Sequence, residues 1–283
     1  MADSSFLLGV GAQKSGTTWV NRYILGQPAG FTQTYEYHVW DALYLPLCAG
    51  YVAERPGFAQ ELNALARRLR GKDPRKEVLR YRMQQDPTRY FDHFAQKLAR
   101  PGCTLAADIT PSYAGLPEEA LARIRDGFAA RGIPVKVLFI MRDPVERCWS
   151  AVRMKKEKRN LDPGLGDEDV LRMYFDADET RMRTDYHKTM ARLDAVFAPG
   201  QIHYAFSETL FTRAEMDRIS AFLGLPPDYS RLSQKENHRA KTGAISDALR
   251  AEVATAYAEV YRACAARFDG IGKIWPNARF VLD

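Results

Sequence analysis

The sequence predicts an α/β protein with one central parallel sheet flanked by helices. Three observations predict it. Short apolar runs near 6–10, 103–108, 135–141 and 202–206 have strand character, and each is followed by a helical pattern. That alternation builds parallel sheets through helical crossovers. The run Val135-Lys136-Val137-Leu138-Phe139-Ile140-Met141 is almost continuously apolar, as suits a strand covered on both faces. Finally, the stretch Gly11-Ala12-Gln13-Lys14-Ser15-Gly16-Thr17-Thr18-Trp19 lies between the first strand and the first helix, and such sheets collect ligands beyond the carboxyl ends of their strands. The length of 283 residues suits a single domain over 1–283 with a sizeable core.

The elements follow in order. Phe6–Val10 reads as a buried strand and Val20–Leu25 as the first turns of a helix. Between them, Gly11 and Gly16 allow a tight turn, and Lys14, Thr17 and Thr18 bring charge and donors to a helix N-terminus, which together make an anion cradle. Residues 34–40 alternate polar and apolar. If extended, they put Glu36 and His38 on one face and Tyr35, Tyr37 and Val39 on the other. Residues 57–100 read as a helical insert, a lid or substrate wall. Leu62, Leu65, Ala66 and Leu69 have the spacing of one buried face, and Asp73-Pro74 and Asp86-Pro87 start two further helices.

A strand over 103–108 ends before Pro111, and a helix runs from Pro117 to about Ala130. After the strand at 135–141, Asp143-Pro144 caps a helix whose end carries the basic run 153–159, read as a solvated face with cations near the helix C-terminus. Residues 160–169 read as a loop, followed by helices near 167–175 and 180–197. A strand at 202–206, a helix at 215–223 and a basic loop at 224–243 come next. In the last helix, Leu249, Val253, Tyr257, Val260, Cys264 and Phe268 recur in steps of four or three.

Composition narrows the function. The net charge of +6 suggests an anionic ligand but is too small and dispersed to imply nucleic acid. No apolar run is long enough to span a membrane, and the N-terminus lacks the basic region of a signal peptide. The four cysteines are far apart, without a C-x-x-C pair. This argues against zinc and a disulfide framework and suits a reducing cytoplasm. No Asp, His and Cys cluster has metal-ligand spacing, so no metal is expected.

A Walker loop places its lysine after the last glycine, whereas Lys14 precedes Gly16. Lys14-Ser15-Gly16-Thr17-Thr18-Trp19 instead resembles the 5′-phosphosulfate loop of the sulfotransferases that use 3′-phosphoadenosine 5′-phosphosulfate. Arg142-Asp143-Pro144, with Ser150 eight residues after the arginine, resembles that family's 3′-phosphate site. The resemblance implies that Arg142 and Ser150 hold the 3′-phosphate, and an arginine fork suits that role. The ordinary alternative for Arg142 is a surface ion pair with Asp143 or Glu146.

Further segments are similar to the family. Glu36-Tyr37-His38-Val39-Trp40-Asp41 is similar to a segment whose glutamate is the proposed base, with Tyr35 replacing the family's lysine. The resemblance implies catalytic roles for Lys14, Glu36 and His38; the ordinary readings are a surface carboxylate and a satisfied histidine. Asp108-Ile109-Thr110-Pro111-Ser112-Tyr113 is similar to a segment in which Asp108 would orient a substrate or a catalytic group, with Ile109 replacing a lysine often found there. Trp19 would stack on adenine or belong to the core. Arg239, Lys241 and Gly243 fit a late loop closing over the nucleotide.

The implied fold is that of a sulfotransferase, related in plan to phosphate-loop nucleoside triphosphatases. The implied reaction is in-line sulfuryl transfer to a hydroxyl or amine of a small-molecule or glycan acceptor. The alternatives are a small-molecule phosphate-loop kinase and a non-catalytic nucleotide-binding protein. The acceptor and the oligomeric state stay open.

Overall fold

A computed structural model describes residues 4–159, 164–233 and 244–282. Five strands form the sheet: β1 (Ser5–Gly11), β2 (Gly30–Phe31), β3 (Leu105–Ile109), β4 (Val135–Met141) and β5 (Ile202–Phe206). Their order is β2-β3-β1-β4-β5, and every pairing is parallel. The helices between them are α1 (Thr17–Leu25), α2 (Trp40–Tyr44), α3 (Phe58–Leu69), α4 (Lys76–Gln85), α5 (Thr88–Leu98), α6 (Glu118–Ala129) and α7 (Pro144–Arg159). There follow α8 (Asp167–Tyr174), α9 (Asp178–Met182), α10 (Tyr186–Val196), α11 (Arg213–Leu223), α12 (Asp247–Ala256), α13 (Ala258–Arg267) and α14 (Ile271–Ile274).

Side-chain alternation along the strands divides the core into two layers. Phe6, Leu8 and Val10 of β1 and Val137, Phe139 and Met141 of β4 face α5, α6, α7, α10, α12 and α13. Leu7, Leu138, Ile140 and Ala205 face α1 and α11. Burial on both sides accounts for the nearly unbroken apolar character of β4. The register between β1 and β4 shifts between Gly9 and Gly11. A bulge here bends β1 where it meets the loop, at the carboxyl rim of the sheet.

Several expectations need correction. Residues 34–40 are not a strand; 34–39 form an irregular segment and Trp40 opens α2. The edge position falls to β2, two residues whose length is below any periodic signal. The long helices expected at 180–197 and 249–268 are each broken, into α9 and α10 and into α12 and α13. The second break, at Tyr257, is a single residue, so Leu249, Val253, Tyr257, Val260 and Cys264 all stay buried.

The insert at 57–100 is not one body. Tyr90 and Phe94 of α5 are buried against Phe6 and Phe128, so α5 is a core helix. By contrast, the predicted inward face of α3 points outward: Leu62 and Leu65 are about half exposed and Leu69 is 81% exposed. Ala64 is the α3 residue that is buried. The spacing was that of an amphipathic helix, but no element among the described residues covers its apolar side. Asp86 does serve its helix, accepting from the Thr88 amide at 3.1 Å. Asp73 instead pairs with Lys97 of α5 at 2.6 Å.

No helix among the described residues is long and apolar enough to cross a membrane. All four cysteines are free. Among the described residues no group of three or more His, Cys, Asp or Glu could hold a metal ion.

Candidate active site

The loop after β1 is shaped by its glycines. Gly16 has φ +102°, a left-handed value that L side chains rarely adopt, and a Cβ there would stand 2.3 Å from Leu210 Cδ2. Gly16 heads α1, whose first amides, including those of Thr17 and Thr18, have no carbonyl to reach within the helix. Lys14 also takes a positive φ, of 71°, and its Nζ lies 3.9 Å from Met154 Sδ of α7. Ser15 is fully buried. Its amide donates to the Ala12 carbonyl at 3.3 Å, and its Oγ has no partner among the described residues.

The two phosphate motifs meet at this loop. Arg142, at the end of β4, donates from Nη1 to the Lys14 carbonyl at 3.0 Å. The suggested surface pairing with Glu146 is loose, at 3.8 Å, and Glu146 binds Arg250 more closely, at 2.8 Å. Asp143 is no partner for Arg142 either. It is buried, accepting from the Val145 amide and from Tyr261 and Asn277, and this network pins the start of α7. Ser150 lies two turns along α7. A cleft of about 520 Å³ is lined by Lys14, Gly16, Thr17, Thr18, Arg142 and Ser150, and Glu36 joins them there. Its size falls in the range of small-molecule sites.

From Glu36 a chain of polar contacts runs inward. Its carboxylate lies 3.0 Å from His38 Nε2, and His38 Nδ1 lies 2.6 Å from Asp41 Oδ2. Ser112 Oγ donates to the same Asp41 oxygen. The imidazole stacks on Tyr51 with ring centroids 3.6 Å apart. Burial alone would pull the His38 pKa down, but the hydrogen bonds and charges of Asp41 and Glu36 outweigh it and hold the group at about 9. At neutral pH His38 is therefore an imidazolium, a donor to both carboxylates rather than a proton acceptor. Glu36 is about half exposed and faces the cleft. The two residues meet because His38 takes a left-handed φ of 51°, not because a strand aligns them.

A solved structure shares this architecture. A sulfotransferase from Alicyclobacillus acidocaldarius aligns over 94% of this chain and 96% of its own, with a TM-score of 0.55 at 20% identity. The chain has the sulfotransferase fold. The sulfotransferase domain from the curacin biosynthetic pathway aligns over 86% of this chain and 81% of its own (TM-score 0.49, 15% identity). The sulfotransferase domain from the Synechococcus PCC 7002 olefin synthase aligns over 87% and 85% (TM-score 0.48, 17% identity). No protein-family model matches the chain, and no curated protein matches it.

Within this sulfotransferase fold the remaining expected residues separate. Asp108 does not reach the cleft. It is fully buried, accepting from Tyr90 at 2.8 Å, Thr110 at 2.7 Å and Tyr113 at 2.9 Å, and burial raises its pKa to about 6. Its influence is indirect. Thr110 Oγ1 accepts from the Tyr37 amide at 3.2 Å and Tyr113 Oη from the Val39 amide at 3.2 Å, so Asp108 fixes the segment that carries Glu36 and His38. Trp19 is buried against Tyr23 and Phe211, and its Nε1 donates to the Arg231 carbonyl. It is a core residue that also lines the cleft. Arg239, Lys241 and Gly243 lie outside the described residues.

The sequence reading missed Asp41, Ser112, Tyr51 and Lys155. Lys155, read as part of a solvated basic face, is mostly buried. It lines the cleft, pairs with Glu179 at 3.0 Å and lies over the Tyr174 ring. Its neighbour Lys156 pairs with Asp167. Asp41 and Ser112 lay within the two segments already noted for their resemblance, which was the available signal.

Proposed function

We propose that the protein transfers a sulfuryl group from 3′-phosphoadenosine 5′-phosphosulfate to an acceptor hydroxyl or amine. The observation that carries this reading is the hydrogen bond from Arg142 to the Lys14 carbonyl, which joins two phosphate motifs in one cleft that also contains Glu36. The donor set fits the nucleotide: a lysine and an arginine, a hydroxyl on each side, and a helix N-terminus.

The nucleotide supplies the activated sulfuryl group. Thr17, Thr18 and the first amides of α1 would hold its 5′ end, and Arg142 and Ser150 its 3′-phosphate. Lys14 would neutralise the charge that builds on the leaving phosphate oxygen, a contribution that grows toward the transition state. Glu36 would take the acceptor's proton as the new bond to sulfur forms. His38 would stay protonated between Glu36 and Asp41, orienting the Glu36 carboxylate.

The test is a transfer assay with the sulfated nucleotide and a mixed acceptor panel, run beside melting scans. Lys14→Ala should lower turnover by about a hundredfold or more, the scale of losing one strong oxyanion contact, while the fold persists. The desulfated nucleotide should raise the melting temperature by ligand linkage. Normal turnover in Lys14→Ala, or stabilisation by ATP with magnesium instead, would sink the assignment.

A further inference from the structure

Beside the cleft lies a second cavity, of about 600 Å³. It shares the 33–36 segment with the first: Gln33 and Tyr35 line the second cavity, and Glu36 lines the cleft. Arg80 ties this segment down, donating to the carbonyls of Glu36 and Tyr37 at 2.8 Å each.

The second cavity is strongly cationic. Arg67 comes from the end of α3, Lys72 and Arg75 from the connection to α4, Lys76 from the start of α4, and Arg100 from the chain after α5. Two carboxylates are present, and both are already paired, which leaves four of the five lining cations without a carboxylate partner among the described residues. Asp73 is held by Lys97, whose Nζ donates to both its oxygens at 2.6 Å, and Glu77 stands 3.8 Å from Lys76. Among the described residues no carboxylate forms an ion pair with Arg67, Lys72, Arg75 or Arg100. Elsewhere cations commonly have acidic partners, as in Arg131 with Asp92, Lys156 with Asp167 and Arg250 with Glu146. The Arg67 guanidinium is anchored to the Asp73 carbonyl at 2.7 Å, so part of the charge is fixed in place.

Like charges gathered in excess of their counter-charges repel one another and focus a positive field. We propose that this groove binds the anionic part of the acceptor, a molecule carrying carboxylate, sulfate or phosphate groups near the hydroxyl or amine presented to Glu36. The groove's anion binding stands on its own; the word acceptor rests on the sulfuryl-transfer reading above.

Labelled dextran sulfate oligosaccharides and unsulfated dextran of equal length separate charge from sugar. Binding is measured in the Lys14→Ala/Arg142→Ala background, which removes two cleft cations. The sulfated oligosaccharide should bind and weaken steeply between about 50 and about 300 mM salt, as screening of surface charge requires. Lys72→Gln/Arg75→Gln/Arg100→Gln in the same background should weaken it at least tenfold, and neutral dextran should not bind. With otherwise native protein, dextran sulfate should raise the acceptor KM and leave the nucleotide KM unchanged.

Equal binding of the two dextrans, or an unaffected triple variant, overturns the anion site. A polyribonucleotide that binds the groove more tightly than dextran sulfate, or an acceptor KM indifferent to dextran sulfate, overturns the acceptor assignment. Groove binding in a protein that never transfers sulfate leaves the anion site standing and refutes the reaction instead. If the triple variant is unfolded by circular dichroism, single Lys72→Gln and Arg75→Gln variants, both at exposed positions, decide by the same criteria.

Discussion

Replacing Arg142 tests the joining of the two motifs most directly. Its guanidinium donates to the Lys14 carbonyl at 3.0 Å and lies loosely, at 3.8 Å, from Glu146. A guanidinium carries five donors in a fixed fork, so it can hold the loop and still present donors to a phosphate. Arg142→Ala should lose the tether to the Lys14 carbonyl, about 1 kcal/mol because the guanidinium is partly solvated, and at least one charge-assisted phosphate contact, about 1.5 to 3 kcal/mol. Affinity for 3′-phosphoadenosine 5′-phosphate should therefore fall by about 50- to 1,000-fold.

Arg142→Lys keeps the charge but not the fork and should lose about 5- to 30-fold. Adenosine 5′-phosphate, which lacks the 3′-phosphate, supplies the control; its affinity should fall by less than about tenfold, the worth of the tether. Titration calorimetry with both nucleotides reads the difference. The Arg142 carbonyl keeps its bond from Tyr186 at 3.0 Å in either variant, so the unliganded melting temperature should drop by only a few degrees. Equal losses for the two nucleotides, or no loss for the 3′-phosphorylated one, would refute the assignment of Arg142 to the 3′-phosphate.

Other outcomes follow from the same geometry. The His38 imidazole is held at about 9 against an ordinary 6.5, so its stabilising contribution is complete below pH 6.5 and is lost as pH rises through about 9. That is about 3 kcal/mol at 1.36 kcal/mol per pKa unit, and His38→Gln should flatten this part of the denaturant-midpoint profile. An unchanged profile would mean the imidazole is not held charged. Tyr113→Phe removes the acceptor of the Val39 amide and a donor to Asp108, so it should cost about 1 to 3 kcal/mol and lower kcat more than nucleotide affinity. Equal effects on both would assign Tyr113 to the fold alone. Gly16→Ala places a Cβ at φ +102° against Leu210; chemical denaturation should show a loss of about 1 to 3 kcal/mol, and a neutral variant would count against the loop conformation.

Much of the sheet was legible from local pattern. β4 and β5 have the expected bounds because an apolar run closed by turn residues is a local signal. β2 was not legible: two residues carry no period, and pairing with β3 defines them as a strand. The α3 pattern was equally clear, yet its apolar side lies open, since amphipathicity states that a face exists and not what covers it. Both helix breaks were invisible for a related reason: the apolar steps continue through them.

The same division holds at the site. The sequence alone determined the Gly-rich turn at a helix start, with its lysine and hydroxyls, and the arginine at a strand end, because turn chemistry and strand ends are written in neighbouring residues. Only the tertiary structure brought Lys14 and Arg142 together across 128 positions, through the parallel pairing of β1 with β4. It also decided the protonation of His38, which depends on Asp41 and Glu36 closing around a buried ring, and withdrew Asp108 beneath Tyr90 and Tyr113. Burial and long-range charge are sums over neighbours from distant parts of the chain, and no local stretch of sequence contains them.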